Sequence, residues 1–486
     1  MVFSSTIFLF LFLPLVLCGY FLAGPKTRNL VLLIASLFFY AWGENIYVLL
    51  MLASILINYV FGLLIDQARR RGRRGKKAVS LAIAMNLALL GFFKYGNFLV
   101  DNLNRLLTWL HVEPVTVASI HLPIGISFFT FQAMSYIIDL YRGEVEVEKN
   151  PVNIALYISL FPQLIAGPIV RYHDIASRIR QRTTTTTDLA IGIRRFIIGL
   201  GKKVLVANVL GRTADYLFTI PADQLPLTLA WTGALAYSLQ IYYDFSGYSD
   251  MAIGLGRMFG FHFLENFNYP YISRSIREFW RRWHISLSTW FRDYLYIPLG
   301  GSRGSRTRTY FNLITVFFLC GLWHGASWTF VIWGLFHGFF LILERTPAGG
   351  VLKRLPSMVQ YGYAMLVVLV GWVIFRADNF SYGLKYIQAM FTIGREPLYN
   401  SQIFLHVNNE FSLTMLAALI GMTPLPSAVM KRLTSRPEHP QNSTACSVFG
   451  GPVMAACQLL GLGTIYFYSV ASIMGGAYNP FLYFRF

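Results

Sequence analysis

Apolar runs long enough to cross a lipid bilayer recur from the first residues of the chain almost to the last. They include residues 2–22, 46–65, 228–243, 361–375 and 453–473. Continuous runs of about eighteen or more apolar residues are typical of transmembrane helices, whereas the strands of a membrane β-barrel alternate apolar and polar residues. Only 13% of the 486 residues are charged, against roughly a quarter in soluble domains. The chain is therefore predicted to be an all-α, polytopic membrane protein.

We expect about ten to twelve transmembrane or re-entrant helices around a central tunnel, in a single domain that covers residues 1–486. Residues 80–93 are predicted to span the membrane, and residues 95–110 to form an amphipathic helix or a second pass. Residues 192–210 carry four basic side chains among apolar ones, a pattern that favours a helix at the membrane interface.

The segment at residues 153–170 is apolar but is interrupted by Pro162 and by Gly167-Pro168. A run broken in this way is predicted to be re-entrant and to line a cavity. Residues 171–188 are interpreted as a surface loop that ends at Asp188, the N-cap of the next helix. Asp139 lies near the end of an apolar run and is expected to reach the interface by snorkelling.

The basic residues set the expected orientation of the chain. Residues 66–77 carry seven basic side chains against one acid, and Lys26 and Arg28 follow the first apolar run. Both loops are expected to be cytoplasmic, since cytoplasmic loops are enriched in Lys and Arg. The net charge of +19 is therefore interpreted as attraction to anionic lipid headgroups rather than to nucleic acid. Part of the charge could also serve a phosphorylated substrate.

His324 is the strongest candidate functional residue. It stands in an apolar run between Trp323 and Gly325. An ionisable residue inside a membrane segment is costly and favours a functional hypothesis, and a neutral imidazole can act as a general base. The alternative is a histidine that donates to a helix carbonyl and serves packing alone.

His284 lies earlier, in a segment rich in aromatic and basic residues. Its neighbours Phe279, Trp283 and Trp290 are at helical spacing, which fits an interfacial anchor as well as a site. The nearby arginines are consistent with the positive-inside pattern, or with binding the phosphates of a cytoplasmic donor, whose geometry guanidinium groups match. These arginines are Arg281, Arg282, Arg292, Arg303, Arg306 and Arg308.

Two further residues carry weaker hypotheses. Cys320 precedes His324 by one helical turn, so the two could form a nucleophile with its base, although a membrane cysteine is more often an apolar filler. A metal site from Cys320, His324 and His337 has no fourth ligand, and we expect no bound metal. Tyr483, near the chain end, belongs to an interfacial aromatic belt or accepts an acyl group transiently.

Two motifs together resemble the membrane-bound O-acyltransferase superfamily. They are REFWRRWHISLSTWFRDYLYIPLGG and GLWHGASWTFVIWGLFHG. The segments LFPQLIAGPIVRY and YYDFSGYSDMAIGLGRMFG, together with the N-terminal run, are similar to the alginate O-acetyltransferase branch. The resemblance covers nearly the whole chain.

This resemblance implies a many-helix fold with a cytoplasmic funnel, a thin neck and an extracytoplasmic opening. His324 matches the catalytic histidine of the superfamily, and His284 the second motif histidine. The implied donor is acetyl-CoA, with no permanently bound cofactor. The C-terminal FLYFRF is similar to a motif of D-alanyl transfer systems, which makes Tyr483 a candidate acyl relay. Trp283 or Trp323 is a candidate for binding the reacting carbonyl.

The resulting hypothesis is an acetyltransferase of the bacterial inner membrane that serves an exported polysaccharide. Alginate is the expected acceptor, with cellulose or peptidoglycan as alternatives. A periplasmic SGNH-like acetyltransferase and a polysaccharide export complex are the expected partners, besides membrane lipids. A polysaccharide or lipid transporter with His324 as a proton relay is the alternative of another class. The lack of half-repeats and of charged pairs in the apolar runs argues against it.

Overall fold

A computed structural model describes residues 1–394, 401–434, 452–476 and 478–480. Over these ranges the chain forms helices and no strand. The first part contains α1 (Leu13–Leu22), α2 (Arg28–Glu44), α3 (Val48–Arg70), α4 (Lys76–Trp109), α5 (Ile126–Arg142), α6 (Pro151–Ser159), α7 (Phe161–Leu164), α8 (Tyr172–Arg180), α9 (Thr186–Gly201), α10 (Asn208–Leu217) and α11 (Leu227–Met258).

The second part begins with the short helices that carry the aromatic and basic motif. It contains α12 (Ile276–Arg282), α13 (Ile285–Phe291), α14 (Arg306–His324), α15 (Trp328–Leu343), α16 (Pro347–Arg354), α17 (Ser357–Arg376), α18 (Phe380–Phe391), α19 (Ser401–His406), α20 (Asn409–Gly421), α21 (Leu425–Thr434) and α22 (Pro452–Met474). Single π-helical turns occupy Phe8–Phe12, Lys202–Ala207 and Arg292–Tyr296, and 3₁₀ turns occupy Asn45–Tyr47 and Pro270–Ile272.

Four helical stretches are long and apolar enough to cross a membrane. They are Arg28–Arg70, which contains α2 and α3, then Lys76–Trp109, Ser357–Arg376 and Met454–Met474. Phe8–Leu22 and Trp328–Leu343 are shorter apolar helices. Large apolar side chains on their outer faces are exposed, as lipid contact requires. The all-α membrane fold is confirmed, while the number of spans and the central tunnel stay predictions.

The predicted division of residues 80–110 into two segments is wrong. Residues 76–109 form one helix of 34 residues, α4. Lys94 lies between the two predicted segments, and its ammonium group is buried and donates to protein oxygens. A lysine that finds partners inside the protein need not end a helix.

The segment before α9 is more buried than its sequence predicts. Residues 172–180 form α8 instead of a surface loop.

Asp139 is fully buried and accepts hydrogen bonds from Tyr294 (2.7 Å) and His173 (2.8 Å), so the snorkelling prediction is wrong. The N-cap of α9 is Thr185, whose hydroxyl accepts from the Asp188 amide at 3.0 Å, and Asp188 lies in the first turn.

The interfacial interpretation of residues 192–210 stays a prediction, and the structure shows that α9 packs closely against α11. A Cβ atom at Gly199 would lie 2.6 Å from the Gly247 carbonyl oxygen, so only glycine permits this approach. Lys203, in the π-helical turn that follows, forms a buried 2.7 Å ion pair with Asp244 of α11. The expectation that charged pairs are absent from the apolar segments therefore fails here.

The break predicted within residues 153–170 is confirmed. Leu160 interrupts the chain between α6 and α7 with φ −54° and ψ 110°. Ile165, just beyond α7, lines a cavity. A non-helical backbone inside an apolar segment is tolerated where it is packed in protein or lines a cavity.

Two contacts show which helix ends share a side of the molecule. Arg69, within the basic loop at residues 66–77, donates to the Leu140 carbonyl at 3.1 Å, and Arg142 donates to the Asp293 carbonyl at 2.9 Å. These ends of α3, α5 and the π-helical turn after α13 define what we call the basic side. Lys94 lies about 27 Å along α4 from the basic loop. The side that α4 reaches beyond Lys94 is called the far side.

Candidate active site

His324 is the last residue of α14, and its ring is enclosed by aromatic side chains. Its exposed fraction is 8%. Trp333 and Phe375 meet the imidazole edge to face, with centroid separations of 5.0 and 5.4 Å. The next residue, Gly325, is extended, and a Cβ atom there would lie 2.2 Å from the Phe330 ring. The helix ends at the histidine, where the chain becomes extended, and the approach of Phe330 leaves room only for glycine at the next position.

His284 is held by a side chain that the sequence analysis did not single out. Its backbone is in the left-handed region with φ 44°, and it precedes α13. The oxygen of the Asn266 amide accepts from the Ser286 amide at 3.2 Å, from the Ser286 hydroxyl at 2.9 Å and from His284 Nδ1 at 3.2 Å. Because the Asn266 amide oxygen can only accept a hydrogen bond, His284 Nδ1 must be the donor and carries the proton. The buried Nε2 atom has no hydrogen-bond partner among the described residues.

Trp323 contacts both histidines. Its ring centroid lies 5.1 Å from that of His324 and 6.1 Å from that of His284. The indole nitrogens of Trp323, Trp333 and Trp280 are buried and have no acceptor within the part of the chain that the structure describes. Buried donors are nearly always hydrogen-bonded in proteins. The N–H groups of Trp323 and Trp333, whose rings contact His324, are therefore candidate donors to a ligand oxygen.

Two cavities approach this cluster from opposite directions. The basic-side cavity, of about 390 Å³, is lined by Trp280, Cys320 and four arginines, which are Arg277, Arg281, Arg292 and Arg345. The far-side cavity, of about 430 Å³, is lined by Lys94, His121, Ser127, Trp323 and His324. Cys320 and His324 lie on α14 one helical turn apart, so this turn separates the two cavities.

The sequence-predicted arginines take different positions. Arg281 and Arg292 line the basic-side cavity. Arg292 also forms a 2.6 Å ion pair with Asp293, and this hydrogen bond raises the pKa of Arg292. Arg282 does not line it: its guanidinium donates to Glu278 at 2.9 Å and to the Asn268 carbonyl at 3.1 Å.

The remaining predicted residues are only partly brought together. Trp323 lines the far-side cavity with His324, whereas Trp283 is buried against Phe279 and Trp372 and lines neither cavity. Tyr483 lies outside the described residues. The weak metal hypothesis on Cys320, His324 and His337 is not supported. The sulfur of the cysteine and the ring nitrogens of the two histidines do not lie close enough to one another to share a metal ion.

Sequence reasoning missed several residues of the site. Arg277 and Arg345 join the predicted arginines in the basic-side cavity. Lys94 is a charged residue in a membrane segment, and the argument applied to His324 would have found it. Asn266 gave no signal, because it lies outside the motif that holds His284.

The chain is similar to known proteins of one family. The model of the MBOAT, membrane-bound O-acyltransferase family, matches residues 126–349, which include both histidines. A relative in Azotobacter vinelandii, "Probable alginate O-acetylase AlgI", is 44% identical over 502 residues and 100% of each chain is covered. A Pseudomonas aeruginosa protein of the same name is 50% identical over 395 residues, covering 81% of this chain and 75% of the relative.

A third relative carries a different name. The "Peptidoglycan O-acetyltransferase" of Helicobacter pylori is 38% identical over 426 residues, which cover 80% of each chain. Identity of this extent over most of both chains establishes the family. The chain belongs to the membrane-bound O-acyltransferase family, in its alginate O-acetylase-like branch, and is an O-acyltransferase.

Proposed function

We propose that this chain takes an acetyl group from acetyl-CoA in the basic-side cavity and passes it towards the far side for O-acetylation of alginate. The observation that carries the proposal is the placement of Cys320 and His324, one turn apart on α14, in two separate cavities. The names of the Azotobacter and Pseudomonas relatives favour alginate. Peptidoglycan, after the Helicobacter relative, and cellulose are the alternative acceptors.

The basic-side cavity suits a coenzyme A thioester. Its four arginines stand at the side that carries the basic loop, which we take to be cytoplasmic. Guanidinium groups bind phosphate through paired hydrogen bonds. The phosphates would bind these arginines while the apolar arm of the donor extends past Trp280 towards Cys320. This placement brings the thioester to the helical turn that ends at His324.

The reaction is an acyl transfer with His324 as the general base. The attacking hydroxyl oxygen forms a bond to the thioester carbonyl carbon as His324 takes its proton. The tetrahedral intermediate then collapses, the carbon–sulfur bond breaks, and the departing thiolate takes the proton from His324. Atoms and charge balance, and the imidazole returns to its neutral form. General base catalysis of this kind contributes about 10² to 10⁴ in rate.

The unpaired indole N–H groups supply the second catalytic element. Negative charge develops on the carbonyl oxygen in the tetrahedral intermediate. Trp323 and Trp333 both contact the His324 ring, and each has an N–H group without an acceptor among the described residues. In a dry site such donors stabilise an oxyanion strongly. His284, whose Nε2 has no partner among the described residues and whose ring contacts Trp323, orients the attacking hydroxyl or the thioester.

On the far side the acetyl group leaves the membrane enzyme. We propose Tyr483 as the hydroxyl that accepts it first and a periplasmic SGNH-like acetyltransferase as the partner that transfers it to the polysaccharide within an export complex. The proposed location is the bacterial inner membrane. Lys203, in its buried ion pair with Asp244, donates to the Pro480 carbonyl, which ties the chain just before the proposed relay to α11.

The test uses the full-length protein purified in detergent and acetyl-CoA. We expect His324→Ala to release coenzyme A at least about 100-fold more slowly than the wild type. His111→Ala, which changes an exposed histidine in the loop after α4, is the matched control and should retain wild-type turnover. Elution as a single species in size-exclusion chromatography confirms that both variants are folded. Wild-type turnover in a folded His324→Ala protein would refute the proposal.

The relay is tested separately. Protein trapped during turnover should carry acetyl on Tyr483 in the C-terminal peptide, as measured by mass spectrometry. Tyr483→Phe should lose this label and retain slow hydrolysis of acetyl-CoA. Acetyl found on Cys320 instead would overturn the assignment to Tyr483.

A further inference from the structure

Two adjacent residues of α4 bind the end of the helix that carries His324. The last carbonyl groups of an α-helix have no partner within the helix. In α14 these include the carbonyls of Leu322, Trp323 and His324. The Tyr95 hydroxyl donates to Leu322 at 2.7 Å, and Lys94 Nζ donates to Trp323 and, at 3.4 Å, to His324. Residues of one neighbouring helix thus donate hydrogen bonds to three successive carbonyls of α14.

The charge of Lys94 is placed where the helix end favours a cation. The side chain is buried, and none of the described carboxylates forms an ion pair with it. Its other partners are Ser127 Oγ at 3.1 Å and the face of the Trp323 ring, at 5.7 Å from the centroid. The C-terminus of a helix carries a partial negative charge that stabilises cations. Burying an ammonium group is costly, and here the helix end offsets that cost.

The position of His324 depends on this helix end. The chain becomes extended at Gly325, so nothing beyond His324 continues the helix. Without the ammonium group the last turn would present unpaired carbonyls to the far-side cavity, which Lys94 and His324 line together. A helix end with unpaired groups frays, and fraying would displace the imidazole.

We infer that Lys94 is a positioning residue, which fixes the last turn of α14 and so holds His324 in place for acyl transfer. The inference rests on the proposed role of His324. A displacement of about 1 Å at a reacting group can cost on the order of 10²-fold in rate. Lys94 therefore acts on the rate of transfer and not on binding of the donor, whose proposed cavity lies on the basic side.

The first test measures kcat and KM for acetyl-CoA in the full-length protein. Lys94→Met should lower kcat by about 10²-fold with KM changed by less than about twofold. Lys94→Arg keeps a cation and donors and should recover most of kcat. Tyr95→Phe, the matched control, removes the neighbouring hydrogen bond but no charge and should lower kcat by less than about fivefold. Wild-type kcat in Lys94→Met, or no recovery in Lys94→Arg, would overturn the inference.

The second test is hydrogen–deuterium exchange, which does not depend on turnover. In Lys94→Met the peptide that covers residues 321–327 should exchange faster than in the wild type, while peptides of α9 and α11 stay unchanged. If Lys94→Met does not fold, Lys94→Gln serves the same comparison. Unchanged exchange at residues 321–327 would refute the positioning role of Lys94. Full activity of His324→Ala would instead refute the proposed function, so the two failures are distinguishable.

Discussion

Cys320 and His324 lie one turn apart on α14, and their side chains line different cavities. Four residues advance an α-helix by about 6 Å. A thioester in the basic-side cavity and a hydroxyl in the far-side cavity are therefore separated by a single turn of helix. Aromatic rings fill the space around that turn, and Trp333 is fully buried there. The arrangement lets two substrates approach His324 from opposite directions.

The first prediction concerns Cys320. Because its thiol faces the basic-side cavity and His324 the other one, we expect no thioester intermediate on the cysteine. Cys320→Ala should keep turnover within about threefold of the wild type. Cys320→Phe, which fills the cavity, should abolish it. Coenzyme A release is the measurement. A large loss in Cys320→Ala, together with acetyl trapped on Cys320 in the wild type, would restore the cysteine as nucleophile.

The second prediction compares neighbouring arginines. Arg281 lines the basic-side cavity, whereas Arg282 is bound by Glu278 and the Asn268 carbonyl. Arg281→Ala should raise KM for acetyl-CoA about tenfold with little change in kcat, because a charged hydrogen bond to phosphate contributes about 1.5 to 3 kcal/mol. The penalty should shrink at high salt, since exposed charges are screened.

Arg282→Ala is the control for this comparison. It removes the same side chain from the adjacent position, outside the cavity, and should leave KM unchanged. An equal increase of KM in both variants would show that general positive charge, and not the cavity, attracts the donor.

These arginines show where sequence reasoning reaches its limit. The aromatic and basic motif indicated a site, and the rarity of histidine in apolar runs singled out His324. The directions in which Arg281 and Arg282 point depend on where α12 begins. Ser275 caps that helix by accepting from the Glu278 amide at 3.0 Å, and Glu344 of the segment after α15 accepts from the Arg277 amide at the same distance. The second of these contacts comes from a distant part of the chain.

The same limit explains the errors in the fold. Hydropathy located the apolar helices, but it treats every charge as exposed. Lys94, Asp139 and Lys203 are all buried. Each forms a hydrogen bond or an ion pair with a residue of another helix. Whether a charge ends a helix or lies inside it is decided by partners that are remote in sequence. Asn266 escaped notice for this reason, since only the fold brings its amide to His284.

The third prediction concerns that amide. Asn266→Ala removes the acceptor that fixes the Nδ1 proton of His284 and the Ser286 contacts. We expect kcat to fall by about 10- to 100-fold, as for residues that orient a functional histidine. Ser249→Ala removes only the hydrogen bond that Asn266 donates, at 3.1 Å, and should be nearly silent.

A double-mutant cycle sharpens this test. If Asn266 acts through His284, the combined variant His284→Ala with Asn266→Ala should be no slower than His284→Ala alone. Additive losses in kcat would contradict the link between the two side chains and assign Asn266 a separate structural role.

The fourth prediction is a pH dependence of stability at His173, which lies in α8 outside the apolar spans. His173 Nδ1 is 2.8 Å from Asp139, and its Nε2 is 3.2 Å from Asp174. The hydrogen bond to Asp139, with that to Asp174, raises the pKa of His173 from 6.5 to about 9, while burial opposes the shift. The protonated form is therefore favoured in the folded state. Its contribution to stability is complete below pH 6.5 and is lost as pH rises through 9.

Thermal unfolding of the detergent-solubilised protein between pH 6.5 and 9.5 measures this contribution. The midpoint should fall more steeply in the wild type than in His173→Gln, which has no proton to lose and should begin less stable at pH 6.5. His111→Gln controls for the loss of an exposed histidine and should follow the wild type. Since 31% of the His173 side chain is exposed, salt should weaken the difference. Parallel curves for wild type and His173→Gln would show that the imidazolium does not stabilise the fold.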